Sequence, residues 1–96
     1  MAYHIEFAPE VEWHLHSLTA AERRLVLDGI EAQLSNQPLV QTRNRKPMRP
    51  NPLAAWELRI GDLRVYYTVE DDAVLIAAVG IKRREQIWIG GERIDL

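Results

Sequence analysis

The stretch that decides the fold is WELRIGDLRVYY, residues 56–67, in which two alternating segments flank a Gly-Asp pair. Apolar and polar side chains alternate with a period of two on either side of that pair, which is typical of β-strands. Glycine at the first of two turn positions fits a type II′ turn, whose twist suits a two-residue hairpin loop. We therefore predict a β-hairpin with Gly61 and Asp62 at its tip.

The position of this turn determines which residues face each other across the hairpin. The predicted pairs are Ile60 with Leu63, Arg59 with Arg64, Leu58 with Val65, and Glu57 with Tyr66. Alternation sends the apolar residues of both strands to the core side of the sheet. The opposite face then carries Glu57, Arg59, Arg64 and Tyr66. Two arginines are thus expected directly opposite each other on the non-core face.

Upstream of the hairpin, the sequence predicts a strand and two helices. Residues 3–7 alternate between apolar and polar side chains, and a proline suits the first turn of a helix over residues 9–18. A capping box follows, in which the Thr19 hydroxyl and the Glu22 carboxylate each accept an amide hydrogen at the start of a second helix. That helix should end at residues 36–38, where a proline stands. We expect the two helices to form a hairpin.

Downstream, prolines and sequence patterns predict a loop and further strands. Residues 38–52 hold prolines among basic side chains, which predicts a semi-rigid loop without helix or strand pairing. After a turn at Asp71-Asp72, the apolar run 73–81 predicts a central strand covered on both faces, by the helices on one and by an unidentified element on the other. Residues 86–96 are compatible with a terminal hairpin or a loose tail. The whole pattern predicts one α+β domain over 1–96, with the N-terminal strand and helical hairpin packed on an antiparallel sheet.

Composition excludes several classes of function. The sequence has no cysteine, which rules out disulfides, thiolate nucleophiles and cysteine-based zinc sites. No stretch approaches the roughly 18 apolar residues of a membrane-spanning helix. The N-terminus MAYHIEFAPE also lacks a signal-peptide pattern, so we expect a cytoplasmic protein without a membrane partner. His14 and His16 would point about 200° apart on a helix, so we predict no metal and no other cofactor.

The charges are segregated along the chain although the formal net charge is only -2. Residues 1–35 are mainly acidic, whereas residues 36–64 are mainly basic. Such a distribution can create a local positive field that holds polyanions. The basic side chains of the loop and the Lys82-Arg83-Arg84 triplet could flank the paired arginines, or they could form only a solvated rim.

The facing arginines, Arg59 and Arg64, suggest an anion site. Like charges in cross-strand positions repel by up to about 1 kcal/mol. A phosphate group would offset this repulsion, because a guanidinium group binds phosphate oxygens bidentately. The alternative is that Glu57, on the same face, balances the pair without any ligand.

The element order and the motif W-x-L-R-x-G-x-x-R-V-x-Y resemble the RelE/ParE toxin superfamily of bacterial type II toxin-antitoxin systems. The likeness covers nearly the whole chain, and KPMRPNPLAAWELRIGDLRVYYTVEDDAVLIAAVG, residues 46–80, is its most specific part, similar to RelE and YoeB toxins. The resemblance implies a microbial-ribonuclease-like sheet packed on two helices and a cognate antitoxin that silences the toxin. RelE-like members cleave mRNA on the ribosome without a metal, whereas ParE-like members poison DNA gyrase.

The resemblance also implies roles for individual residues. Arg64 matches the arginine that grips the scissile phosphate in the nucleases, and Arg59 is a second phosphate contact. Lys82, or alternatively Arg84, matches the basic residue after the last long strand. On the basis of charge, the further RNA contacts would be Arg45, Lys46, Arg49, Arg83 and Arg84.

The chain departs from the nuclease pattern at several positions. Ala55 and Glu57 stand where RelE has two lysines, and Met48 stands near the glutamate of YoeB. Trp88 occupies the place of a terminal tyrosine or histidine, and indole is neither acid nor base at neutral pH. The base would then be Glu57 or Tyr66.

Three functions therefore fit the sequence. The first is a metal-independent endonuclease that cleaves mRNA on the ribosome and inhibits translation. The second is a ParE-like toxin that acts on DNA gyrase without cleaving nucleic acid itself. The third is an inactive homologue that only binds an antitoxin. We expect the first, with a short neighbouring reading frame for the antitoxin.

Overall fold

The computed structural model of the protein describes residues 2–96, so Met1, the first residue of the predicted domain, lies outside the described residues. The predicted α+β class is confirmed. In chain order the elements are β1 His4–Phe7, α1 Glu10–His16, α2 Ala20–Leu34, β2 Arg45–Pro47, β3 Trp56–Ile60, β4 Leu63–Glu70, β5 Ala73–Arg83, β6 Gln86–Ile89 and β7 Glu92–Ile94.

All strands belong to one seven-stranded sheet with the order β2-β3-β4-β5-β6-β7, and β1 pairs with β5 as well. Every pairing along this order is antiparallel, whereas β1 runs parallel to β5. β1 pairs with residues 73–76 and β6 with residues 80–83, so the two short strands lie on the same edge of the long β5. β5 is thus the central strand that the apolar run predicts.

The hairpin formed by β3 and β4 has the predicted register in every pair, including Arg59 opposite Arg64 and Glu57 opposite Tyr66. Gly61 has a positive φ of 58°, whereas Asp62 does not, which agrees with the predicted type II′ turn. The hairpin therefore places two arginines side by side, as expected from the turn position.

A β-bulge interrupts the pairing of β4 with β5. Tyr66 pairs with Ala78 but the next residue, Tyr67, pairs with Ile76, so Ala77 is the extra residue of β5. A bulge shifts the alternation of side chains by one position. Val74 and Ile76 before it face the helices, and after it Val79 takes that side. As a result Lys82 faces away from the helices.

The helices cover one face of the sheet with a closely packed apolar core. The predicted capping box is present: the Thr19 hydroxyl accepts from the Glu22 amide at 3.1 Å, and the Glu22 carboxylate accepts from the Thr19 amide at 2.9 Å. The buried stripe of α2 packs on β3 and β4, and α1 packs on β5. The fully or nearly fully buried core residues are Val11, Leu18, Val26, Ile30, Leu34, Leu58, Leu63, Val65, Tyr67, Val74, Ile76 and Val79.

The opposite face of the sheet has a smaller core. The sequence did not predict which element covers this face. Buried Tyr66, Ala78 and Ile89 are covered there by side chains from the proline-rich loop and the C-terminal strands, namely Met48, Leu53, Ala54, Ile87 and Ile94. The C-terminal strands form the hairpin that was one of the two alternatives for residues 86–96.

The proline-rich segment 38–52 differs from its prediction. We predicted no strand pairing there, but residues 45–47 form β2 and pair with β3 at the border of the sheet. Proline is tolerated at a sheet edge, because its missing N–H can face away from the neighbouring strand. Within residues 2–96, none of the helices has the length and apolar character needed to cross a membrane.

Candidate phosphate-binding cleft

The face of the sheet opposite the helices carries an open cleft of about 550 Å³. Its floor consists of β3, β4 and the end of β5, and its walls are the proline-rich loop and the C-terminal segment. Seven of the predicted site residues line it, namely Arg59, Arg64, Lys82, Glu57, Tyr66, Lys46 and Arg49. The cleft therefore brings together residues from four strands and one loop.

Arg64 is the fixed cation of this cleft. It is only 6% exposed, and its Nη1 donates to the carbonyl oxygens of Gly61 at 2.7 Å and Leu63 at 3.0 Å. Over the described chain, no carboxylate forms an ion pair with Arg64, and its Nε and Nη2 have no hydrogen-bond partner. A buried cation without a counter-ion is unfavourable. The Nε and Nη2 edge is thus available to bind an anion bidentately.

Arg59 has a counter-ion. Its Nε donates to Glu57 Oε1 at 2.7 Å, with the Arg59 side chain 45% exposed and the Glu57 side chain 14% exposed. The alternative interpretation, in which Glu57 neutralises the charge of the facing arginines without a ligand, therefore holds for Arg59. It does not hold for Arg64, which keeps its charge without a carboxylate partner among residues 2–96.

Tyr66 lies on the floor of the cleft, opposite Glu57 in the β3–β4 pairing. The residue is fully buried, and its hydroxyl has no well-formed hydrogen bond within the described part of the chain. Burial, and then the neighbouring Glu57 carboxylate, raise the pKa of Tyr66 far above its usual value. The phenol therefore keeps its proton at neutral pH and can donate a hydrogen bond.

Lys82 enters the cleft because of the bulge at Ala77. Its Nζ lies 3.6 Å from Glu85 Oε2, whose side chain is 90% exposed. An exposed pair of this kind contributes little and exchanges easily, so the ammonium group can turn to a bound anion. The Lys82 amide also donates to the Asp62 carbonyl at 2.7 Å, which ties the tip of the hairpin to β5.

The prediction of Arg45 as an RNA contact is not supported by its position. Arg45 is only 8% exposed, and its guanidinium donates to the carbonyl oxygens of Gln33 at 2.6 Å and Val40 at 3.1 Å. Gln33 lies in the last turn of α2, where the carbonyl groups lack partners in the helix and favour a cation. Arg45 therefore completes the C-terminal end of α2.

Arg83 and Arg84 also lie outside the cleft. Arg83 Nη2 is 3.6 Å from Glu22 Oε2, at the start of α2 on the helix side of the sheet. Arg84 is an exposed turn residue with a φ of 53°. Arg83 follows Lys82 by one position and so faces the other side of the sheet, and Arg84 lies in the turn after β5, so only Lys82 of the triplet reaches the cleft.

Two of the positions that depart from the nuclease pattern are also outside the cleft. Trp88 pairs with Ile81 and therefore faces the helix side, whereas its neighbours Ile87 and Ile89 face the other way. Ala55 is exposed beside the loop. Neither residue lines the cleft.

The sequence analysis missed the loop and C-terminal residues that complete the walls. These are chiefly Met48, Asn51, Ile94, Asp95 and Leu96. Asn51 shapes the loop: its Oδ1 accepts from the Leu53 amide at 2.8 Å and the Ala54 amide at 3.1 Å. The Asn51-Pro52 dipeptide is a turn signal that could have indicated this role.

Overall, the charge of the cleft is positive. Its cationic residues are Lys46, Arg49, Arg59, Arg64 and Lys82, and its carboxylates are Glu57, Glu85 and Asp95. No group of three His, Asp or Glu side chains within residues 2–96 is arranged to hold a metal ion. The five cationic side chains outnumber the three carboxylates, so the cleft can bind an anion.

Two solved structures have a fold similar to that of this chain. The toxin-antitoxin complex RelBE2 of Mycobacterium tuberculosis matches with a TM-score of 0.74 and 26% identity, over 85% of this chain and 100% of that chain. The RelE-RelB complex of the archaeon Pyrococcus horikoshii shares the fold, with a TM-score of 0.61 and 23% identity over 88% of this chain and 99% of that chain. No curated protein matches the sequence.

The sequence pattern of the ParE toxins of type II toxin-antitoxin systems matches residues 5–88. The chain therefore belongs to the ParE toxin family, within the RelE/ParE superfamily that its motif resembles.

Proposed function

We propose that this toxin binds an RNA phosphate in the cleft and cleaves mRNA on the ribosome without a metal, which inhibits translation. The observation that carries the proposal is the state of Arg64. A buried guanidinium, fixed by two backbone carbonyls and lacking a carboxylate partner within residues 2–96, is preorganised for an anion. Arg59 and Lys82 lie around it with exchangeable partners.

In this reaction the Glu57 carboxylate takes the proton of the RNA 2′-hydroxyl. The 2′-oxygen attacks the adjacent phosphorus, the bond from phosphorus to the 5′-oxygen breaks, and the leaving oxygen takes a proton from water. The products are a 2′,3′-cyclic phosphate and a free 5′-hydroxyl. Arg64 and Lys82 stabilise the negative charge that grows on the phosphate oxygens.

Lys46 and Arg49 extend the positive surface along the loop wall and provide further RNA contacts. A cognate antitoxin is the proposed protein partner. Support comes from the solved relatives, since the Mycobacterium tuberculosis and Pyrococcus horikoshii structures are toxin-antitoxin complexes. The cytoplasm is the proposed location, because ribosomes and mRNA are found there.

The proposal is tested with purified toxin, ribosomes and a defined mRNA, with cleavage sites mapped by primer extension. Arg64→Ala should lower the cleavage rate at least about 100-fold, since it removes the fixed charge at the phosphate. Arg64→Lys should recover little of this activity, because lysine lacks the bidentate geometry. Arg24→Ala, an exposed arginine on α2, is the matched control. Wild-type rates in the Arg64→Ala variant would refute the nuclease assignment.

A second candidate, action on DNA gyrase, is favoured by the match to the ParE family. It is also compatible with the shortage of acid and base groups in the cleft, where the buried Tyr66 keeps its proton. Accumulation of gyrase-linked DNA breaks in cells, with translation intact, would select this function. Expression without any effect on growth would instead identify an inactive homologue.

A further inference from the structure

A second pocket, of about 530 Å³, lies at the edge of β5 and shares residues 94–96 with the wall of the phosphate-binding cleft. It occupies a gap between two short strands, because β1 pairs with residues 73–76 of β5 and β6 with residues 80–83. Helix α1 borders this gap, where His14 Nδ1 accepts a hydrogen bond from the Val79 amide. The residues that define this side pocket include Glu10, His14, Leu53, Ala78, Ile89 and Glu92.

The floor of the side pocket is apolar. Ala77 and Ala78 of β5 contribute only methyl groups, and Leu53, Ile89 and Ile94 surround them. Apolar surface in a concave site is favourable to bury against an apolar group of a partner. The side pocket therefore has room for a large apolar side chain.

The rim of the side pocket is acidic. Three carboxylates line it, those of Glu10, Glu92 and Asp95, and no lysine or arginine of residues 2–96 does. None of these carboxylates forms an ion pair with a cation of the described chain. Their charge is opposite in sign to that of the neighbouring cleft. An RNA phosphate is therefore repelled from the side pocket, whereas a cationic group is attracted to it.

His14 adds a neutral hydrogen-bond donor to this lining. Its Nδ1 accepts from the Val79 amide and burial lowers its pKa, so at neutral pH the ring is uncharged with its proton on Nε2. This Nε2–H has no acceptor within the described part of the chain. The adjacent Trp13 is 69% exposed, and both rings pack against Gly90, where a Cβ would lie 2.9 Å from Trp13 Cδ1 and 3.3 Å from His14 Cδ2. An exposed indole face close to the pocket favours contact with a cation.

We propose that the side pocket docks a segment of the cognate antitoxin in which an arginine or lysine stands next to a large apolar side chain. The apolar side chain occupies the floor, and its basic neighbour pairs with the carboxylates of the rim. A backbone carbonyl of the segment accepts a hydrogen bond from His14 Nε2. This inference rests on the proposed antitoxin partner, and it is independent of the reaction proposed for the cleft.

Charge and the solved relative favour the antitoxin over other occupants. The acidic rim disfavours RNA, so the occupant is a protein segment. The solved RelBE2 structure, which shares the fold of this chain, is a toxin-antitoxin complex. A second copy of the toxin is the competing occupant, because Arg24 and Leu25 are adjacent and exposed on α2. That contact would join unlike surfaces and make the isolated toxin self-associate, which sedimentation velocity would detect.

The first experiment titrates the isolated toxin with short capped peptides and follows backbone amide signals by NMR. Acetyl-Gly-Leu-Arg-Gly-amide should shift the signals of Ala78, Ile89 and Glu92 in a saturable manner. Replacement of the leucine by alanine, or of the arginine by glutamate, should weaken binding several-fold, because each change removes one of the two matching groups. Equal shifts with all three peptides, or no shift of these signals, would overturn the proposed chemistry of the pocket.

A second experiment reverses one charge of the rim. Glu92→Lys should weaken binding of the arginine peptide and tighten binding of the glutamate peptide. Glu31→Lys, at an exposed glutamate of α2 that does not line the pocket, is the matched control and should bind both peptides like the wild type. Both residues are exposed, so both variants should keep the wild-type melting temperature. An unchanged peptide preference in Glu92→Lys would show that the rim does not select a cation.

The last experiment uses the complex of toxin and antitoxin. The photoreactive variant Glu92→p-benzoylphenylalanine should cross-link to the antitoxin, and mass spectrometry should place the link beside an arginine or lysine that adjoins an apolar residue. Glu31→p-benzoylphenylalanine is the control. A link from the control alone, a link to an antitoxin segment without a basic residue, or a link to a second toxin molecule would overturn the docking site. Failure of the toxin to bind any antitoxin would overturn the proposed partner as well.

Discussion

The two adjacent tyrosines of β4 show how differently the two faces of the sheet are built. Tyr67 faces the helices, and its hydroxyl donates to the Pro38 carbonyl at 2.6 Å. Tyr66 faces the cleft, and its hydroxyl has no hydrogen-bond partner in the described residues. Both rings are fully buried. Burial raises the pKa of Tyr67 to about 12 and that of Tyr66 further, in part because Glu57 lies beside it.

The helix face of the sheet carries the groups that stabilise the fold, whereas the cleft face carries the groups of the candidate functional site. On the helix face, apolar side chains fill the core and the buried hydroxyl of Tyr67 is satisfied. On the cleft face, the buried Arg64 has carbonyl partners but no carboxylate partner, and the buried Tyr66 hydroxyl has no hydrogen-bond partner, among residues 2–96. Unsatisfied groups reduce stability, and they persist at sites that await a ligand. We therefore expect the helix face to dominate stability and the cleft face to dominate activity.

The largest expected effect on stability comes from Leu58→Ala, on the helix face of β3. Leu58 is fully buried, and truncating such a side chain removes apolar contacts and leaves a cavity. The expected loss is about 2–5 kcal/mol of unfolding free energy, measured by urea denaturation. Ile87→Ala on the cleft side is the matched control and should lose less than half as much. Equal losses would show that both faces contribute alike.

A smaller effect on stability is expected when the two adjacent tyrosines of β4 are replaced one at a time, and it compares the two faces of the sheet more directly. Tyr67→Phe removes a satisfied hydrogen bond and leaves the Pro38 carbonyl unpaired, which should lower the unfolding free energy by about 1–3 kcal/mol. Tyr66→Phe removes a hydroxyl without a partner in the described chain, so stability should stay level or rise slightly. Thermal unfolding of both variants checks the ranking. A loss in Tyr66→Phe as large as in Tyr67→Phe would contradict the difference between the faces.

A smaller effect, dependent on pH, is expected where α1 meets the edge of β5. His14 Nδ1 accepts from the Val79 amide at 3.3 Å, and burial lowers the pKa of His14, partly opposed by the Glu10 carboxylate. The unfolded chain takes up a proton near pH 6.5, whereas the folded protein resists it to lower pH. Stability from this contact is therefore present above about pH 6.5 and lost as pH falls below it.

The measurement for this contact is urea denaturation at pH 7.5 and at pH 5.5. His14→Gln should show a smaller drop in stability between the two pH values than the wild type. His16→Gln, an exposed histidine on the same helix, is the control and should behave like the wild type. If His14→Gln and the wild type lose equal stability on acidification, the imidazole does not titrate as described.

The smallest expected change in stability is that of Arg64→Met. Methionine keeps an unbranched apolar stem but removes a buried charge that lacks a counter-ion in residues 2–96. Removal of the uncompensated buried charge should offset the loss of its hydrogen bonds to the Gly61 and Leu63 carbonyls, so the net change should stay within about 1 kcal/mol. Phosphate binding should be lost in the same variant. A large loss of stability would mean that Arg64 has a structural role.

Local patterns predicted the parts of the fold that depend on neighbouring residues. The hairpin register follows from one glycine turn, and the capping box follows from Thr19 and Glu22. The pairing of β1 with β5 joins distant segments, and alternation does not specify whether such strands run parallel. β2 escaped prediction because prolines disfavour strands generally, while an edge position tolerates them.

The candidate site was also predicted only in part, because local patterns do not identify partners that are distant in sequence. Turn geometry alone placed Glu57, Arg59, Arg64 and Tyr66 on one face, and they line the cleft. Charge alone could not show that Arg45 is drawn to unpaired carbonyls at the end of α2. Nor could it show that Arg83 pairs with Glu22. In both cases a partner distant in sequence decides where the arginine points.

The extra residue Ala77 has a consequence for sequence comparison. If a relative pairs the corresponding strands without a bulge, a gap of one residue has to be opened at Ala77 to superpose the two chains. Without that gap, an alignment would match the cleft-facing Lys82 to a residue that faces the helices in the relative. Surveys of the family that look for a basic residue at this point should therefore count positions from the end of β5, not from its start.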